Sequence, residues 1–343
     1  MVTGLVVATI VIVLIFDYTN GFHDASNIVA TAVASRAMTP IQAVVLVAVF
    51  EFLGPVLGGT AVANTIGSFI DVSGLVSTDS LIIILAGVTG AIAWNLATWW
   101  IGIPSSSSHA LVGGLIGPVL VSVGSDHVVW GFSELFLRGH ATGVTKVLMA
   151  LILSPVIGFW VGYAMQRITG VLLRGSRPSL NRKLRRGQVL TAAWLAFSHG
   201  ANDAQKSMGI ITLALVTGGM IGSFAVQTWT IFACAAAITL GILTGGWRIV
   251  RTVGFGIYKV RPLHALNAQL TAAGVIFGAA LVGAPVSTTH VVSSSIMGIG
   301  ASERPKSVRW AKAQDIVLTW IVTIPGAAVV GIVVWFVLRR LVG

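Results

Sequence analysis

The stretch Asn20-Gly21-Phe22-His23-Asp24-Ala25-Ser26-Asn27 returns as His199-Gly200-Ala201-Asn202-Asp203-Ala204-Gln205-Lys206, with Gly, Asp and Ala matched at a separation of 179 residues. A second motif follows each copy. Pro104-Ser105-Ser106-Ser107-Ser108-His109 is repeated as Pro285-Val286-Ser287-Thr288-Thr289-His290 at a separation of 181, after which Gly117 matches Gly298. Two unrelated polar motifs recurring in the same order at nearly one offset identify an internal duplication.

The surroundings of these motifs are apolar. Of the 343 residues 55% are hydrophobic and only 9% charged, and the mean hydropathy is +0.93, far from a soluble chain in which about a quarter of residues carry charge. No Asp, Glu, Lys or Arg lies between Asp79 and Asp126, from Ser207 to Trp247, or from Pro262 to Ser302. Each stretch is long enough for two crossings of roughly 20 residues. Spans are expected at about 4–36 (broken), 41–63, 80–101, 104–123 and 143–166, then 188–216, 223–246, 264–284, 285–301 and 315–338.

The net charge of +11 raises nucleic acid as a partner, but the placement of the charges points to a lipid bilayer instead. Seven basic residues and no acid lie between Arg167 and Arg186, with smaller clusters at Arg248 to Arg261 and Arg304 to Lys312. This is the Lys/Arg excess of cytoplasmic segments. An electrostatic lure for anions is a further reading of the same charges. The segments divide the chain into an N-terminal membrane repeat (1–166), a basic cytoplasmic loop (167–187) and a C-terminal membrane repeat (188–343). Five spans per half, an odd number, make the halves inverted, with both termini outside. The expected fold is an all-α polytopic membrane protein of two inverted repeats, with broken helices or re-entrant hairpins at the midplane. Cys234, the single cysteine, excludes a disulfide framework, and no cleaved signal peptide is read at the N-terminus.

Asp24 and Asp203 fall near the middle of their crossings, where an ionised carboxylate is costly unless paired or lining a polar cavity. Each follows a glycine by three residues, which suggests that a helix breaks and restarts there. A restarting helix offers N–H groups and a positive dipole end to an anion; unwound carbonyls and the carboxylate suit a cation. Pro104 and Pro285 are expected to open new helical segments. Ser106, Ser107 and Ser108, and Ser287, Thr288 and Thr289, would then form a donor-rich cradle for a tetrahedral oxyanion; helix packing or bonding back to the backbone is the plainer reading.

His109 and His290 read either as proton carriers or as structural imidazoles. Glu51 is an intramembrane acid whose counterpart region around Ala237 and Ile238 is apolar, so it breaks the repeat; it either relays a cation or bonds to a neighbouring helix. Asp17 and Gln269 are weaker candidates of the same kind. Lys206 reads either as a fixed ammonium that replaces a bound cation beside the aspartates or as a lysine reaching a carbonyl or the interface. Trp94, Trp99 and Trp100 read as interfacial anchors or packing.

At these motifs the sequence resembles the inorganic phosphate transporter (PiT) family, and its bacterial low-affinity branch in particular. The signatures stand here as 21–27 and 200–206, then 104–109 and 285–290, and Gly245 to Arg248 is also similar. The resemblance implies import of inorganic phosphate by alternating access, symported with protons or sodium, in a multi-pass inner-membrane protein that is no enzyme and has no cofactor. It implies a phosphate and cation site from Asp24, Asn27, Asp203, Ser107, Ser108, Thr288 and Thr289, to which Ser106, Ser287 and Lys206 are added. Glu51 and Asn202 join the aspartates as coupling-cation candidates. His23 departs from the family's Asn, Ser107 and Ser108 replace Thr-Thr, and Lys206 faces Asn27 across the repeat. Phosphate as a metal complex and a homodimer are left open, and no resident metal is expected. Sulfate is the rival substrate; an anion channel and an intramembrane Ser-His-Asp hydrolase are more distant rivals, the latter disfavoured because Ser108 and His109 are helix neighbours that point apart.

Overall fold

The computed structural model describes residues 1–72, 74–245, 254 and 257–342. Gly246 to Arg248, most of the last family-like stretch, lie outside the described residues. Twelve α-helices occur among the described residues: α1 (Val2–Ala34), α2 (Pro40–Leu57), α3 (Ala61–Gly67), α4 (Ser77–Ile101), α5 (Ser107–Ser122) and α6 (Phe132–Arg138), then α7 (Gly143–Leu172), α8 (Leu180–Thr217), α9 (Thr228–Thr244), α10 (Pro262–Leu281), α11 (Thr288–Glu303) and α12 (Trp310–Val342). Six of them, α1, α2, α4, α7, α10 and α12, are long and apolar enough to cross a membrane. On α1 the lipid-facing stripe is Val7, Val11, Ile15 and Tyr18, while Val6, Val13, Phe16, Asp17 and Asn20 are buried. The 16 residues each of α5 and α11 extend only about 24 Å at 1.5 Å per residue. That is short of the roughly 30 Å hydrocarbon core, so a helix that ends at one face begins inside the bilayer.

The two halves are related element by element, and they pack crosswise. α1 lies on α9 as α8 lies on α2; α1 meets α4 as α8 meets α10; α4 meets α5 as α10 meets α11; and α5 packs on α12 as α11 packs on α7. The halves are therefore interleaved into one body. One face carries the α7–α8 connection, Arg261 and the 304–312 segment, and is the basic face. An antiparallel bridge between Ile70 and Val128 ties the ends of α3 and α5 together.

Each expected span coincides with a helix, but several boundaries are corrected. The expected breaks at Asp24 and Asp203 do not occur, because α1 and α8 run through both motifs without interruption. Gly21 and Gly200 serve close packing instead. A Cβ on Gly21 would meet the Ile238 carbonyl oxygen, and one on Gly200 the Glu51 carbonyl oxygen. The small residue lets two backbones touch, and this pairing fixes Glu51 and Ile238 as counterparts. The break lies elsewhere: the expected span 41–63 is split between α2 and α3. Pro104 and Pro285 do not open helices; each stands two residues before the N-cap, Ser106 or Ser287. Much of the 167–187 loop is helical, since α7 reaches Leu172 and α8 starts at Leu180.

Candidate functional site

α1 and α8 cross at their motifs, and the first turns of α5 and α11 close on the crossing. Asp24 and Asp203 are both fully buried. Around Asp24, Oδ1 accepts from Asn27 at 3.0 Å and from Thr289 at 3.0 Å, with His23 Nδ1 at 2.9 Å. Its Oδ2 lies 3.4 Å from both Ser107 Oγ and Thr288 Oγ1. Around Asp203, Oδ1 accepts from Lys206 at 2.6 Å, and Oδ2 lies 3.4 Å from Asn20 Nδ2 and from Thr288 Oγ1. Thr288 thus reaches one oxygen of each carboxylate. Having one proton, it satisfies only one of them at a time.

His199 stands between the carboxylates. Its Nδ1 is 2.6 Å from Glu51 Oε1, and its Nε2 is 3.5 Å from Asp203 Oδ2 and 3.8 Å from Asp24 Oδ2. Ligand atoms of Asp24, His199 and Asp203 lie within 4.8 Å of one another, close enough to converge on one cation. Asn20 Oδ1, Asn27 Oδ1 and Glu51 Oε2 are buried with no partner among the described residues. Unpartnered amide and carboxylate oxygens are hard ligand atoms of the kind that coordinate a cation.

The ammonium of Lys206 is fully engaged. Its three N–H groups go to Asp203, to Ser108 Oγ at 2.5 Å and to the Val286 carbonyl at 3.1 Å. Both readings of Lys206 therefore meet in one geometry: the charge neutralises Asp203, and the chain end reaches a carbonyl. The structure leaves it no spare donor for an anion. Ser106 and Ser287 cap α5 and α11 by accepting from the amides of His109 (3.1 Å) and His290 (3.3 Å), a role that leaves each hydroxyl its own proton to donate. Asn202 does not join the cluster. It clamps the irregular segment before α11, donating to the Ala284 carbonyl at 3.1 Å and accepting from the Val286 amide at 3.3 Å.

His109 and His290 sit apart from the carboxylates. Their rings meet at a tilt of 41° with centroids 4.5 Å apart, and both line an apolar cavity of about 560 Å³ on the far side of α5 and α11. Asp17 accepts from Ser207 at 2.6 Å, and Gln269 joins Thr31 at 3.1 Å to Thr191 at 2.5 Å. His199, His23 and Asn20 are the site residues that motif reading did not single out. The signal existed: Asn20 aligns with His199 just as Asn27 aligns with Lys206.

Buried carboxylates at a crossing of repeated helices, closed by short helices that begin within the bilayer, define a membrane transporter. The comparisons with known proteins specify which. The phosphate transporter family matches residues 20–183 and 173–331, and the chain belongs to that family. It is 44% identical to the probable low-affinity inorganic phosphate transporter of Bacillus subtilis over 98% of this chain and 99% of that one. It is 40% identical to the protein of the same description from Rhizobium meliloti, over 97% and 96%. A solved structure described as the sodium-dependent phosphate transporter superposes with a TM-score of 0.87 over 98% of this chain and 99% of that one, at 22% identity, and shares the fold. The protein is a multi-pass inner-membrane transporter of phosphate and not an enzyme.

Proposed function

We propose that the protein imports inorganic phosphate in symport with protons by alternating access, with the anion bound between the first turns of α5 and α11 and the aspartate pair. In the closed arrangement the hydroxyls of Ser107, Thr288 and Thr289 lie against the carboxylates. Phosphate takes over these donors, together with first-turn amides that the caps leave free. It can do so only if the carboxylates are neutralised, because anion and carboxylate otherwise repel across a few ångströms of low-dielectric interior. Neutralisation is what couples the cation to the anion.

The observation that carries proton coupling is the asymmetry of the cation partners. Lys206 holds a permanent charge on Asp203, where the other half offers Asn27 to Asp24, and His199 joins Glu51 to both aspartates. A built-in ammonium leaves less for a metal ion to do, and an imidazole between carboxylates is suited to carry a proton. Sodium is the second reading, favoured by the unpartnered oxygens of Asn20, whose amide reaches Asp203, and of Asn27, whose amide reaches Asp24. A phosphate carried as a metal complex would use the same oxygens. The test is uptake of radiolabelled phosphate into proteoliposomes under an imposed pH or sodium gradient, with excess sulfate as competitor and Asp203→Asn as control. Uptake driven by the pH gradient and resistant to sulfate supports the proposal. Uptake driven only by sodium moves the coupling to the second reading, and abolition by sulfate moves the substrate.

A further inference from the structure

A polar cavity of about 520 Å³ opens at the basic face where α7, α8, α10 and α11 meet. Arg167, Arg174, Asn181, Arg261, His264 and Ser302 contribute to its lining. None of these residues touches the carboxylate cluster. Glu303, the one acid in the wall, is already shared: it accepts from Tyr258 at 3.1 Å, and lies 2.5 Å from His264 Nε2 and 3.8 Å from Arg261. Arg167 and Arg174 form no ion pair among the described residues, so guanidinium charge exceeds carboxylate charge in the cavity.

Ser302 supplies an independent observation. It is 9% exposed, and its hydroxyl has no partner among the described residues although it lines the cavity. Gln166 in the same lining accepts from Asn267, which also donates to Thr169, both at 2.8 Å, and whose own carbonyl oxygen is left unpartnered. A buried hydroxyl with no partner, set among arginines that can each grip an oxyanion through two N–H groups, is a preformed receptor for a phosphate group. The same cavity is flanked by apolar surface, because Val171 in its wall is 64% exposed and neighbouring Leu172 is 74% exposed.

We propose that this cavity binds a phosphate group at the cytoplasmic face, separately from the transport site. Its source is the headgroup of an anionic phospholipid, whose acyl chains would run along α7. Basic pockets between transmembrane helices on the cytoplasmic side hold such headgroups. Free inorganic phosphate at the inner face has the same chemistry and is the other source.

The purified full-length chain is assayed by native mass spectrometry after exposure to phosphatidylglycerol or phosphatidylcholine, and by thermal melting with added inorganic phosphate. The probes are wild type, the Arg174→Ala/Arg261→Ala double variant, and Arg177→Ala as a basic-face control outside the cavity. Both side chains removed are exposed, so monodisperse elution of the double variant is expected. Retention of phosphatidylglycerol over phosphatidylcholine should fall about 30-fold in the double variant, as two basic residues each contributing about 1 kcal/mol require. It should persist in Arg177→Ala. A phosphate-induced melting shift that the double variant loses, without selective lipid retention, assigns the cavity to free phosphate. The proposal is overturned if neither response changes in the double variant, or if Arg177→Ala loses them equally.

Discussion

The two halves place an aspartate at the same point of the crossing and surround it differently. Asp24 is held by neutral or titratable partners, Asn27, Thr289 and His23. Asp203 is held by the fixed ammonium of Lys206. Glu51 on α2 likewise faces His199, whereas its counterpart Ile238 on α9 is apolar. Duplication thus supplied the scaffold twice, and substitution gave one arm an ammonium partner that the other lacks. Under the proposed mechanism, a few side chains on an unchanged backbone would set the cation coupling.

The asymmetry between the halves is exposed most directly at the aspartates. Asp24→Asn and Asp203→Asn should each reduce phosphate uptake into proteoliposomes at least about 100-fold, in line with loss of a charged group acting in the bound complex. Their stabilities should part company. Asp203→Asn strands a buried ammonium, which costs about 3–5 kcal/mol, whereas Asp24→Asn strands no fixed charge; a smaller fall in melting temperature for Asp24→Asn is expected. Equal falls would remove the claimed asymmetry.

Lys206→Asn makes the second arm chemically like the first. Phosphate uptake by this variant should become stimulated by sodium about tenfold relative to choline, since a cation is then needed where the ammonium stood. Cation dependence identical to wild type would detach Lys206 from coupling. Glu51→Gln keeps a hydrogen-bonding group toward His199 and removes the charge. Uptake should drop about tenfold, and the dependence of uptake on an imposed pH gradient should flatten; a retained gradient dependence would place the proton elsewhere. The smallest effect is expected where the halves are alike. Ser106→Ala and Ser287→Ala each remove one helix cap and should lower stability by about 1 kcal/mol, to a similar extent, as measured by thermal melting in detergent.

Much of this was legible in the letters. The duplication, the apolar runs and the basic segments dictated an all-helical chain, two related halves and a bilayer setting, because hydropathy and charge placement act locally and are written residue by residue; of the ten expected spans, six match described helices long and apolar enough to cross a membrane. The motifs named Asp24, Asp203, Ser107, Thr288 and Thr289, and these meet in space. Glycine beside a mid-span aspartate was a misleading sign, however: it suggested a break, while the helices run on and the glycine admits a neighbouring backbone. Only tertiary structure could show this, since a glycine that bends a helix and one that lets two helices touch are the same letter.

The same limit explains His199 and the histidine pair. Which face of a helix a side chain occupies relative to a partner 148 residues away, as for His199 and Glu51, depends on how the halves interleave. That arrangement also turned His109 and His290 away from the carboxylates toward an apolar cavity. Sequence alone therefore determined the membrane fold, its repeat and the chemical inventory of the site, because each depends on local hydrophobicity, charge and motif. The tertiary structure decided which aspartate is paired with an ammonium, which hydroxyls are used as caps and which histidine stands at the centre, because those follow from distances between segments far apart in the chain.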